Sequence, residues 1–305
     1  MYSDNKIHIV EVGPRDGLQN LDGFVKTENK INLIRRLAAS GIREIQVGAF
    51  VSDKAIPQFR DMQTVMAGLH DLRDVTLTAL VPNLHGARAA LASGIQKLNF
   101  FFSVSRSHNL SNVRQTPQES LTALKLIRDE LLSETALVVR VDLATAFGCP
   151  FEGTIKTGVI LDYLHQVVSL GFREVTLCDT VGFGHPALVE SVITACRERY
   201  PEVVFGVHLH NTRGLALANA LKAYDVGIRS FDAAIGGLGG CPFAPGASGN
   251  VATEDIVFMF DAMGLSTGIE LPSLLGVSQY LQETLPDTPI ASALFRAGLP
   301  GKAIF

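Results

Sequence analysis

Val203-Val-Phe-Gly-Val-His-Leu-His210, followed by Asn211-Thr-Arg-Gly214, is the stretch whose reading decides how this chain folds. An apolar, β-branched run over 203–210 reads as a strand, and the pattern over 214–226 reads as a helix opening on glycine. Side chains at i and i+2 of a strand share a face, so His208 and His210 stand side by side at the end of a buried strand. Imidazole nitrogens need partners in a low-dielectric interior, and a divalent metal satisfies both rings at once. His-x-His spacing alone is a weak metal signature, so the rest of the chain has to weigh on it.

Working outward, the same strand-then-helix unit recurs eight times. The strands read as 7–13, 43–50, 75–81, 96–103, 136–144, 173–178, 203–210 and 229–235. Helical patterns occupy 27–40, 56–70, 84–93, 116–132, 155–170, 186–199, 214–226 and 252–263, and several close on glycine, as in Ser40-Gly41 and Ser93-Gly94. Near-continuous apolar strands joined by helices mean a parallel sheet. Eight such units match a (β/α)8 TIM barrel. A doubly wound open sheet is the competing architecture, but no GxGxxG follows the first strand. Two further helices, 270–284 and 290–297, lie outside the eight units. The expectation is a single domain over 1–305, with the barrel at about 7–265 and a helical extension over 266–305.

Composition narrows the function classes. The 305 residues are 47% hydrophobic and 18% charged, ample for a large core. A net charge of −4 offers no general attraction for nucleic acid or an anionic membrane, so neither is expected as a partner. No apolar run approaches the roughly 18 residues of a spanning helix. The first strand begins almost at the N-terminus, so no targeting peptide is expected. Cys149, Cys178, Cys196 and Cys241 are scattered without CxxC spacing, and a cytoplasmic, reducing location follows as the default.

In such a barrel, catalysis sits where strands end and loops begin. Those ends supply Arg15 and Asp16, then Gln46, then Asp179, then His208, His210 and Asn211, and finally the glycine-rich loop Gly236 to Asn250. Asp16, His208, His210 and Asn250 make a set of one carboxylate, two imidazoles and one amide oxygen, suited to Mg²⁺ or Mn²⁺. Taken singly, Asp16 reads better as a turn residue of Pro14-Arg-Asp-Gly17, and Asn250 reads also as a cap for the helix near 252; only their joint placement favours ligation. Glycine-rich backbone approaches ligands closely and can move as a lid, which makes Cys241 a candidate acid or base. The other three cysteines read as small buried hydrophobes. Arg15 is a candidate for stabilising an oxyanion, or else a salt-bridged barrel arginine.

Val10-Glu-Val-Gly-Pro-Arg-Asp-Gly-Leu-Gln-Asn20, Phe50-Val-Ser52, Gly148-Cys-Pro-Phe-Glu-Gly153, Asp179-Thr180 and Gly237-Leu-Gly-Gly-Cys-Pro-Phe-Ala-Pro-Gly-Ala-Ser-Gly-Asn250 resemble the 3-hydroxy-3-methylglutaryl-CoA lyases, from about residue 7 to about 275. The resemblance implies retro-Claisen cleavage of a 3-hydroxyacyl-CoA to acetyl-CoA and a keto acid such as acetoacetate, as in leucine degradation. It implies metal ligation by Asp16, His208, His210 and Asn250, catalysis by Arg15, Cys241 and His208, and substrate contacts from Gln19, Gln46, Asp179 and Arg213. It also implies a homodimer or higher homo-oligomer.

The chain departs from that pattern near the site. Gln46 stands where the lyases carry Glu, a loss expected to remove a charge that would orient Arg15 or tune the metal ligands. Asn211-Thr-Arg213-Gly replaces Asp-Thr-Tyr-Gly, Asp142 replaces a Tyr, and Asp22 stands near where a Lys meets the CoA phosphates. Arg106 and His108 are the basic residues expected to take over the CoA contact. The competing readings are a related barrel aldolase or Claisen-type synthase acting on another hydroxy acid, and a non-catalytic metal-binding relative.

Overall fold

The computed structural model describes residues 6–132, 137–239 and 249–301. Eight parallel strands close into a barrel in sequence order: β1 (His8–Glu11), β2 (Glu44–Ala49), β3 (Thr76–Val81), β4 (Lys97–Ser103), β5 (Val138–Ala144), β6 (Glu174–Asp179), β7 (Val204–Leu209) and β8 (Ser230–Ala233), with β8 pairing back onto β1. Parallel neighbours need a crossover, and helices supply it. They are α1 (Thr27–Ala39), α2 (Met62–Ala67), α3 (Leu84–Ala92), α4 (Arg106–Val113), α5 (Pro117–Ile127), α6 (Thr157–Ser169), α7 (Pro186–Arg199), α8 (Ala216–Asp225) and α9 (Thr253–Ala262), followed by α10 (Leu271–Thr284) and α11 (Ala293–Ala297). The (β/α)8 barrel with added C-terminal helices is therefore the observed fold. None of the described helices is long and apolar enough to cross a membrane.

Period-two patterning sorts each strand into two faces. On β5, Val139, Val141 and Leu143 alternate with Arg140 and Asp142. The valine and leucine set joins the main apolar core with helix residues such as Leu124, Leu164 and Val189. The lumen takes the polar set, and its buried charges are paired, as desolvation requires. Lys97 Nζ lies 3.0 Å from Glu44 and 2.5 Å from Glu174, and His8 Nε2 lies 2.9 Å from the same Glu44.

Where elements differ from the sequence reading, local chemistry accounts for it. The helix expected over 56–70 is a 3-10 turn opened by Pro57, followed by the short α2, which stops at Gly68. α4 was not anticipated in the fourth connection. Ser105 caps it by accepting from the His108 amide, and Arg114, at φ 58°, ends it. The last helix contracts to α11 because Ser292, not an earlier residue, provides its cap. The extension folds back on the barrel. The Glu270 amide donates to Ser40 O at 2.8 Å, and the Ala291 amide donates to Gly236 O at 2.8 Å.

Candidate active site

β1 runs into a tight π-helical turn, Gly13–Gly17, that carries Arg15 and Asp16. Glycine is required at 13 because a Cβ there would lie 2.6 Å from Glu11 Oε1. Glu11 is fully buried and accepts from the Gly13 amide at 2.7 Å, the Ile235 amide at 2.9 Å and Thr253 Oγ1 at 2.7 Å. One carboxyl thus ties the Asp16 turn to the start of the glycine-rich loop and to α9. Burial outweighs the three donors and lifts it to about 8.

β7 brings His208 and His210 to the same end of the barrel, with ring centroids 5.2 Å apart. One ligand atom from each of Asp16, His208 and His210 lies within 4.8 Å of the others. His208 Nε2 is 3.9 Å from Asp16 Oδ2, and its Nδ1 is 3.2 Å from Asp232 Oδ2. His210 Nδ1 is buried with no hydrogen-bond partner among the described residues. Asn250 pairs with His210 through a backbone bridge, and its Nδ2 donates to Asp16 Oδ2 at 2.7 Å and to Leu238 O at 2.9 Å. The capping role open to Asn250 is therefore overturned: α9 starts from Ala252 without a side-chain cap, and the amide turns to Asp16. Gly239 passes so close that a Cβ would meet Asn250 Nδ2 at 2.6 Å.

Charge is arranged to match. Burial alone would raise the Asp16 carboxyl, but Arg15, His208 and His210 beside it hold it down at about 2. Burial, with His208 alongside, pushes His210 down to about 3, so this imidazole is neutral. His208 moves the other way: burial opposes its charge, yet Asp232 and Asp16 raise it above the ordinary range. A carboxylate, two imidazoles and a neighbouring amide around an unpartnered ring nitrogen fit a divalent cation of the Mg²⁺ or Mn²⁺ class.

The remaining expected residues divide. Arg15 Nε donates to Gln46 Oε1 and its Nη1 to Asp16 Oδ1, while Gln46 is fully buried. The expected loss of orientation at 46 is thus corrected, because a neutral amide oxygen accepts from guanidinium as a carboxylate would. Gln19 Nε2 donates to Asp16 Oδ1 at 3.1 Å. Asp179 accepts from the Phe183 and Gly184 amides at 2.8 and 3.0 Å, and burial lifts it to about 6. Arg213 is exposed. It donates to Val181 O at 2.7 Å and Gly182 O at 3.0 Å and lies over the Phe183 ring, bracing the β6–α7 loop. Of the two residues expected at the CoA, Arg106 is exposed on the first turn of α4, whereas His108 is turned inward, Nδ1 2.6 Å from Ser103 Oγ. Cys149, Cys178 and Cys196 are buried. Cys241 and most of its proposed lid lie outside the described residues.

Six buried charges escaped the sequence reading: Glu11, Lys30, Glu44, Arg140, Asp232 and Glu254. The available signal was a charged residue within an apolar strand, as in Ile7-His-Ile-Val-Glu11 and Phe231-Asp232-Ala233.

The HMGL-like family model matches residues 6–281. The chain is 41% identical to hydroxymethylglutaryl-CoA lyase of Bacillus subtilis over 280 residues, 92% of this chain and 93% of that protein. It is 38% identical to (R)-citramalyl-CoA lyase of Chloroflexus aurantiacus, over 96% and 95% of the two chains. Among solved structures, HMG-CoA lyase of Bacillus subtilis superposes with a TM-score of 0.93 at 40% identity, covering 97% of this chain and 99% of that one. An HMG-CoA lyase of Acinetobacter baumannii, in complex with coenzyme A and 3-methylmalate, gives 0.91 at 41% identity, covering 99% and 98%.

Proposed function

The chain belongs to the HMGL-like family, and from that premise we propose that it is a metal-dependent carbon–carbon lyase cleaving 3-hydroxy-3-methylglutaryl-CoA, or a close 3-hydroxyacyl-CoA, to acetyl-CoA and a keto acid. The observation that carries the reading is the largely buried Asp16–His208–His210 cluster, with an unpartnered His210 Nδ1, set beside Arg15. Asp16, His208, His210 and Asn250 would hold a divalent cation, Mg²⁺ or Mn²⁺, whose Lewis acidity lowers the pKa of the substrate's tertiary hydroxyl. A base near His208 takes the hydroxyl proton. The C2–C3 bond breaks, C3 becomes the ketone carbon, and the bonding pair passes into the thioester enolate. Arg15, braced by Gln46, faces the enolate oxygen, and Cys241 delivers the proton to C2. Arg106 supplies positive charge at the CoA end, with Gln19 and Asp179 beside the acyl group. The enzyme works in the cytoplasm as a homodimer or higher homo-oligomer.

Incubation with 3-hydroxy-3-methylglutaryl-CoA and Mg²⁺ or Mn²⁺ should release acetyl-CoA and acetoacetate from the parent. Asp16→Asn and Cys241→Ala should both be severely impaired. The similarity to a citramalyl-CoA lyase makes (R)-citramalyl-CoA the second thioester to assay. Absence of acetyl-CoA from both thioesters with either metal would sink the proposal.

A further inference from the structure

The two imidazoles of the site are held differently. His208 and Asp232 are register partners on β7 and β8, which sets the carboxylate against the ring on the lumen side. The contact runs from Asp232 Oδ2 to His208 Nδ1 at 3.2 Å. Arg140 reaches across the lumen from β5 and takes both oxygens of Asp232, Nη1 to Oδ1 at 2.7 Å and Nη2 to Oδ2 at 2.8 Å. Its Nε lies 2.8 Å from Asp142 Oδ1, so the guanidinium stays paired on a second side. Arg140, Asp142, Asp232 and His208 are all buried. His210 has no counterpart to Asp232 on its Nδ1 among the described residues.

A neutral imidazole carries one N–H and one lone pair, and the partner of one nitrogen decides which it is. A carboxylate gripped on both oxygens by guanidinium offers acceptors alone, so His208 Nδ1 must donate. Its Nε2 then carries the lone pair, on the side where Asp16 Oδ2 lies 3.9 Å away. We propose that Asp232, locked by Arg140, is a positioning residue that fixes His208 in the Nδ1–H tautomer and so aims its Nε2 lone pair at the cation. This rests on the reading that Asp16, His208 and His210 hold a metal. Asp232 touches no reacting atom and acts only through the ring.

The test is Mn²⁺ affinity, read from the free-ion EPR signal, together with ¹⁵N shifts of His208 assigned by loss in His208→Gln. The parent should bind Mn²⁺ and, when metal-free at a pH where His208 is neutral, show the Nδ1–H tautomer. In Asp232→Asn the amide presents an N–H to Nδ1 and favours the opposite tautomer. Mn²⁺ affinity should fall about 10–100-fold, and Asp232→Glu should recover part of it. Unchanged affinity and tautomer in Asp232→Asn, even with a lowered Tm, would make the pair merely structural and overturn the proposal. A parent that binds no Mn²⁺ would overturn the metal reading on which it rests. If Asp232→Asn does not fold, Arg140→Lys keeps the charge but loses the two-pronged grip and should weaken Mn²⁺ several-fold. An Nε2–H tautomer in the metal-free parent would by itself refute the assignment.

Discussion

Gln46 shows how much one atom decides. Its Oε1 accepts from Arg15 Nε in a dry setting, so the arginine keeps its orientation without a carboxylate at 46. Gln46→Leu leaves that N–H unpaired, and kcat/KM should fall about 10–100-fold, the effect of one orphaned charged donor. Gln46→Glu keeps an acceptor for Arg15 Nε and should retain at least parental activity; acetyl-CoA release measures both. Asp16 meets Arg15, Gln19 and Asn250 at once. Asp16→Asn should therefore lower Mn²⁺ affinity beyond the ~10–100-fold typical of outer-shell changes, by calorimetric titration, with an unchanged circular dichroism spectrum. His208 and His210 were legible because two-residue spacing is a local property. The Arg140–Asp232 pair was not, because its members are 92 residues apart and meet only across a closed lumen.

At the level of elements, two buried carboxyls clamp the glycine-rich loop at its root. Glu11 binds the Ile235 amide from β1, and Glu254, on α9, accepts from the Gly236 amide at 2.9 Å and from Ser278 of α10 at 2.5 Å. Burial lifts Glu254 from 4.5 to about 7 and Glu11 from 4.5 to about 8. A carboxyl raised on folding contributes stability that is full below about pH 4.5 and is lost as pH rises through the folded value. The Tm of the parent should accordingly decline between pH 5 and 8. Glu254→Gln keeps an acceptor but cannot ionise, so it should flatten the pH 5–7 part of that decline; an unchanged slope would show that Glu254 does not titrate there. α5, in the β4–β5 connection, supplies a control on an element that carries no residue of the metal cluster. Thr116 and Glu119 form a reciprocal cap, and Thr116→Ala should cost about 1 kcal/mol with activity untouched. α4 shows why element boundaries were only partly legible: its cap, Ser105, follows the strand so closely that the segment reads as a strand end.

For the molecule as a whole, the site is built by strand register and loop anchors of the protein itself. Chelation should therefore abolish activity while leaving the barrel's circular dichroism intact, with unfolding free energy falling only by mass action, about 2.7 kcal/mol for a metal held at 100 times its Kd. Collapse of the spectrum on chelation would mean instead that the ion holds the fold. By itself, the sequence determined the eightfold alternation, and hence the barrel, and it placed Asp16, His208, His210 and Asn250 at one end, because periodicity and strand-end position are local. Only the tertiary structure decided what each polar side chain faces. Closure turns a charged set from β2, β4, β5, β6 and β8 into one lumen. It gives Arg15 a neutral brace, commits Arg213 to a loop and turns His108 inward. It also hands His208 a carboxylate. Buried charges must find partners, and which partners are within reach is a property of the closed barrel that no local pattern encodes.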